Sequence, residues 1–245
     1  MSKNFVLAAA SVCAAIWATP AFAGPPFLTD DPDTTPRGEY EILVFATGNT
    51  TADGDEGEYG LDFNYGGGDD LQLTAAFPIS YENPNGASQQ SGLGNVELAA
   101  KIRFLHQDRF GWDVAVFPRL FLPSGSDLGD QHATILLPIW IGRHGENWST
   151  FGGGGCAINR GDDSQDYCVA GWAVTQRVLP NLQIGGELFH QTADTKDGFA
   201  STTLGFGATY DLNEHVHFLG YVGTGLQNRD ETGRTSWYSS VLFTF

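Results

Sequence analysis

The chain's last nine residues, WYSSVLFTF, set Trp237, Ser239, Val241, Phe243 and Phe245 at every second position, with Tyr238, Ser240, Leu242 and Thr244 between them. Successive side chains of a β-strand point to opposite faces, so period-two alternation marks a strand with two different surroundings. The same alternation returns along the chain. EYEILVFAT places Tyr40, Ile42, Val44 and Ala46 on one face. NVELAAKIRF sets Val96, Leu98, Ala100, Ile102 and Phe104 opposite Glu97, Lys101 and Arg103. GWDVAVFPRL sets Trp112, Val114, Val116, Pro118 and Leu120 opposite Asp113 and Arg119. Such segments predict about twelve strands between residues 38 and 245. The 32 glycines and 17 phenylalanines fit strands and turns better than helices.

The links between these segments alternate in length. GGGD, HQDRF, RHGEN, VLPN and DLNEH are short, whereas 49–57, 82–94, 122–132, 159–166, 193–200 and 227–234 are longer. Tight turns at one end and longer loops at the other are the pattern of an outer-membrane barrel. A strand in hydrocarbon must satisfy every backbone group within the sheet, so the sheet has to close on itself. The expected fold is therefore all-β, a transmembrane antiparallel up-and-down β-barrel of about 12 strands. A secreted β-sandwich ending on an edge strand does not explain the alternating links. In the barrel the last strand closes against the first. Trp237, Val241, Phe243 and Phe245 then face lipid and form an aromatic assembly signal, of the kind that outer-membrane assembly machinery reads.

The beginning of the chain agrees. MSKNFVLAAASVCAAIWATPAFA has a basic Lys3, an apolar run, Pro20 and a small-x-small ending, which predicts a signal peptide over 1–23. Residues 24–37, rich in Pro, Asp and Thr, are expected to be an extended N-terminal segment, either a small plug in the periplasmic mouth or a disordered leader. Its Asp30, Asp31 and Asp33 lack the ligand spacing and turn glycine of a calcium loop, so no metal is expected there. Once Cys13 leaves with the leader, Cys156 and Cys168 are an even pair in an exported protein, and a disulfide is expected. A formal net charge of −17 excludes nucleic acid as a natural partner.

Parity assigns Glu41, Asp62, Glu97, Lys101, Arg103, Asp113, Arg119, Gln176 and Glu187 to the interior. Such side chains face lipid only at a cost of about 2–4 kcal/mol for a basic residue at the midplane. They read as a polar track that selects solute, or as an ion-pair network that fills the lumen, with Lys101 set against Glu97 and Arg119 against Asp113. Leu43, Phe45, Phe117, Phe121, Leu136 and Trp140 also fall on the inward parity. They read as an apolar patch for a greasy solute or as filling. His-x-Ser, G-x-S-x-G and H-E-x-x-H are all missing from the sequence, so neither an enzyme nor a cofactor is expected.

FLTDDPDT, GLDFNYGGGDDLQLTAAFPISY, SGLGNVELAAKIRFL, VFPRLFLPSG, TFGGGGCAINRG and AGWAVTQRVLPNLQIGGELFHQT follow one another in the chain. Together they resemble a family of outer-membrane transporters named for the meta-pathway of phenol degradation. The resemblance implies a link to aromatic catabolism and carries no catalytic motif. The expectation that follows is a monomeric barrel in the outer membrane of a Gram-negative bacterium, in contact with outer-membrane lipids and lipopolysaccharide. It would pass small, hydrophobic or aromatic solutes without energy coupling. The competing expectation is a structural or surface-binding barrel that transports nothing.

Overall fold

The computed structural model describes residues 26–245, so the leader predicted over 1–23 lies outside the described residues. Fourteen strand segments build the wall: β1 (Tyr40–Thr50), β2 (Gly54–Gly68), β3 (Leu71–Pro84), β4 (Gln90–Leu93), β5 (Val96–Leu105), β6 (Asp113–Val116), β7 (Arg119–Leu122), β8 (Thr134–His144), β9 (Trp148–Asn159), β10 (Tyr167–Leu179), β11 (Leu182–Gln191), β12 (Ser201–Asp211), β13 (Val216–Gln227) and β14 (Thr235–Thr244). Two one-turn helices, α1 (Gln107–Phe110) and α2 (Arg229–Thr232), sit in links.

The fourteen segments make twelve barrel strands. β4 and β5 both pair with β3 and form one strand broken at Gly94 and Asn95. β6 and β7 both pair with β5 and β8 and form another, broken at Phe117 and Pro118. Pro118 has no N–H to give to a ladder, and the wall is re-tied around it by Phe117 N to Pro138 O (3.0 Å) and Ala100 N to Pro118 O (3.2 Å). The twelve strands pair antiparallel all the way round, and β14 meets β1 in register from Glu41↔Thr244 to Thr50↔Thr235. The last residue completes the closure, because Tyr40 and Phe245 exchange both backbone hydrogen bonds (3.0 and 2.9 Å). Among the described residues no strand edge is left to attract another chain, which is the physical requirement for such a wall in lipid.

The two faces separate as the alternation demands. Val44, Phe77, Ile139, Val174, Leu188, Phe206 and Val222 are exposed on the outside. Ala115, Trp140, Phe151, Ala173 and Leu242 on the inside are almost fully covered. Trp237 and Phe245 lie outward at 40 and 65 % exposure, while Ser240, Leu242 and Thr244 are buried between them. Cys156 lies directly across from Cys168 on the β9–β10 hairpin, and the two are joined by a disulfide (S–S 1.99 Å).

Two links are shorter than the sequence suggests. The 49–57 stretch is mostly ladder: pairing runs on to Thr50↔Asp55, leaving only residues 51–53 as a turn. The 82–94 stretch likewise holds the end of β3 and all of β4, with Glu82 opposite Gln90. Polar side chains on both faces erase the alternation there, but backbone hydrogen bonds do not depend on side-chain polarity, so the hairpins continue.

Candidate functional site: the lumen and its N-terminal segment

Residues 26–39 do not trail away from the barrel. They thread its interior near the mouth that holds both ends of the wall. Glu187, only 2 % exposed, accepts the backbone N–H groups of Leu28 (3.1 Å) and Thr29 (2.9 Å). Phe27 packs on Phe151 and edge-on to Tyr221. Lys101 Nζ holds Asp30 at 3.0 Å and Asp31 at 3.8 Å. Asp33 accepts from Arg103 (3.4 Å) and contacts His144 Nε2 (3.0 Å). Thr35 N and Oγ1 both donate to Gln72, and its hydroxyl lies 3.0 Å from Glu41. The wall is shaped to receive this segment. A Cβ at Gly171 would overlap Thr29, and one at Gly207 would lie 2.8 Å from the Phe27 ring.

The extended conformation follows from the sequence. Proline fixes φ and biases the preceding residue away from helix, and 26–36 contains Pro26, Pro32 and Pro36. Burial, followed by the charge of Asp33, pushes the Asp31 carboxyl up to about 7. Burial also acts to raise Asp33, but its hydrogen bond to His144 and the charges of His144, Arg103 and Lys101 hold it below the ordinary carboxylate range.

A cavity of about 2120 Å³ remains beside the segment. Its lining reaches Asn49, Glu82 and Thr195 near the long loops, and Glu39, Asn213 and Phe245 at the opposite mouth. Among the described residues, fifteen Asp and Glu line it, against four Lys and Arg. All four cations are paired: Lys101 as above, Arg103 with Asp33 and Asp70, Arg119 with Glu97, and Arg177 with Asp211 (3.6 Å). Glu41, Glu58 and Asp62 on β1 and β2 make no ion pair among the described residues and border the open space.

Seven of the nine residues assigned to the polar track border this cavity: Glu41, Asp62, Glu97, Lys101, Arg103, Asp113 and Arg119. Glu187 points inward but is covered by Leu28 and Thr29. Gln176 is misassigned. It is exposed, on the same face as Trp172 and Val174, and Thr175 and Arg177 take the inward places. It sits at the end of β10, where an outward amide can reach water, so a polar side chain there does not report the lumen.

The expected ion pairs also change partners. Arg119 binds Glu97 through two 2.7 Å hydrogen bonds, and Lys101 binds the N-terminal segment. The reason is register: Ala99 stands opposite Arg119 on the β5–β7 ladder, which puts Glu97 two residues along on the same face. Of the aromatics in the apolar patch only Phe117 borders the cavity, with Lys101 and Arg119 over its ring. Phe121 packs under Arg119 and against Leu136, Ala157 and Val169. Trp140 is buried opposite Ala115, and Phe45 is half-buried on β1. The alternation also turns Asn64, Gln72 and Thr74 inward, whereas His144 falls in the stretch read as the short link RHGEN and is inward because β8 runs on to it. A plug in the mouth is one of the two readings of the segment, but the wall partners of Asp30, Asp31 and Asp33 have no signal in the sequence.

The family described as "Putative MetA-pathway of phenol degradation" matches residues 29–238. The chain belongs to this family. Among solved structures, the COG4313 outer membrane channel from Pseudomonas putida F1 is similar with a TM-score of 0.71 at 16% identity, over 88% of this chain and 98% of that one. The KdgM porin has a TM-score of 0.57 at 11% identity, over 84% and 99%. The CymD monoaromatic hydrocarbon channel has a TM-score of 0.50 at 8% identity, over 85% and 88%. At these identities the likeness is one of fold. A search of curated proteins found no match.

Proposed function

We propose that this member of the family is a passive outer-membrane channel for small solutes, and that its lumen disfavours anions. The observation that carries the reading is the cavity lined by residues from both mouths, with carboxylates in excess and every lining cation already paired. Fixed charge inside a low-dielectric wall concentrates counter-ions and repels ions of like sign. Cations and uncharged molecules, including polar aromatics such as phenols, are the solutes that fit this lining, and the family's description supports the aromatic class. The barrel would reside as a monomer in the outer membrane of a Gram-negative bacterium, among its lipids and lipopolysaccharide. It would be inserted by assembly machinery that reads Trp237, Val241, Phe243 and Phe245.

The test is reconstitution of the mature protein in planar bilayers and liposomes. A salt gradient should give discrete conductance steps with a reversal potential on the cation-selective side, and Asp62→Asn should reduce that selectivity. Relative to protein-free liposomes, the protein should raise the entry of phenol by a larger factor than that of benzoate. No conductance, with entry of both solutes unchanged from protein-free liposomes, would sink the channel reading. The docked N-terminal segment favours a second reading, a closed barrel with a structural or surface-binding role, and that result would support it.

A further inference from the structure

Asp33, Asp113 and His144 come from three separate parts of the chain and meet at one point of the lumen. Asp33 belongs to the N-terminal segment, Asp113 opens β6 and His144 closes β8. One donor atom from each lies within 4.8 Å of the other two. All three residues border the cavity, so the point is reachable by an ion from solution.

The cluster has the build of a ligand set. One oxygen of each carboxylate is tied to a further protein donor, and Asp33 and His144 are an ion pair, so a metal ion would enter by replacing the proton those two share. Asp113 Oδ1 accepts the backbone N–H of Gln107 (2.9 Å), and Asp33 Oδ1 accepts from Arg103 Nη1 (3.4 Å), while Asp33 Oδ2 faces His144 Nε2 at 3.0 Å. Gln107 fixes the third member as well. Its side-chain oxygen accepts His144 N–H (2.6 Å) and its amide donates to His144 O (2.8 Å). One residue of α1 thus holds the Asp113 carboxylate and the backbone of His144. Outer contacts of this kind orient metal ligands and sustain affinity.

We propose that Asp33, Asp113 and His144 form a binding site for a divalent transition ion of the zinc class. One imidazole nitrogen and two carboxylate oxygens suit such an ion, whereas calcium and magnesium favour all-oxygen sets. The open side toward the lumen supplies water for the remaining position. Because Asp33 is carried by the N-terminal segment, the ion clips that segment to β6 and β8. The site does not depend on whether the barrel conducts.

The experiment uses the mature full-length protein in detergent, stripped with a chelator, and titrates zinc chloride by calorimetry with metal counted by mass spectrometry. One zinc per barrel is expected. Asp33→Asn and His144→Gln should each weaken binding by about tenfold or more, and His132→Ala, on an exposed loop, should leave it unchanged. If His144→Gln fails to assemble, Asp33→Asn decides, since that residue lies outside the wall. Absence of a zinc site in the parent protein, or undiminished binding in Asp33→Asn, overturns the proposal.

Discussion

Removing the Glu187 carboxylate should release the N-terminal segment from the wall. Glu187 is buried and receives two backbone N–H groups, from Leu28 at 3.1 Å and Thr29 at 2.9 Å. A hydrogen bond to a charged group contributes about 1.5–3 kcal/mol. Glu187→Ala removes two of them and leaves the freed donors to find water in a tight space. Loss of about 3–4 kcal/mol in docking corresponds to a factor of about 10²–10³ in the undocked population. Glu187→Gln keeps one neutral acceptor and should fall between the parent and Glu187→Ala. The readout is amide hydrogen exchange at Leu28 and Thr29 in detergent. Exchange should accelerate in the order parent, Glu187→Gln, Glu187→Ala, while the β1–β14 ladder amides stay protected. If both amides remain as slow in Glu187→Ala as in the parent, Glu187 is not the anchor and the rest of the segment holds itself.

Arg119→Ala strips Glu97 of its two-point partner and should destabilise the barrel by about 2–3 kcal/mol, seen as a lower temperature for loss of the heat-modifiable gel band. The double variant Arg119→Leu with Glu97→Leu should recover part of that loss, and failure of the pair to do better than the single variant would count against the ion pair. Cys156→Ser with Cys168→Ser opens the staple on the β9–β10 hairpin. It should cost about 2–3 kcal/mol in loop-closure entropy while leaving twelve strands intact, a change measured by proteolysis of residues 159–166 in parent and variant. Deleting Phe245 removes the hydrogen-bond pair with Tyr40 and the terminal aromatic, so the amount of folded barrel in envelope fractions should drop. Undiminished assembly would remove Phe245 from the closure and the signal.

Alternation in segments such as NVELAAKIRF was enough to specify the strands, because the two faces of a membrane strand meet different media and the side-chain period is two. It also fixed which side chains look inward at Glu97, Lys101, Arg103, Asp113 and Arg119. It failed at Gln176, where the end of the strand reaches water and polarity stops reporting the face. The closure followed as well, since an open edge has no partner in hydrocarbon. What no local pattern contained is who meets whom across the lumen. Arg119 chooses Glu97 through the β5–β7 register, and Lys101 turns to Asp30 and Asp31 some seventy residues away in the chain. The N-terminal segment has no periodicity of its own, because its partners are spread over the wall rather than along a neighbouring strand. The convergence of Asp33, Asp113 and His144 is of the same kind. Strand identity is set by each residue's nearest neighbours and its medium, both written in the sequence. The contents of the lumen depend on distances between remote points, and those exist only once the sheet has curled and shut.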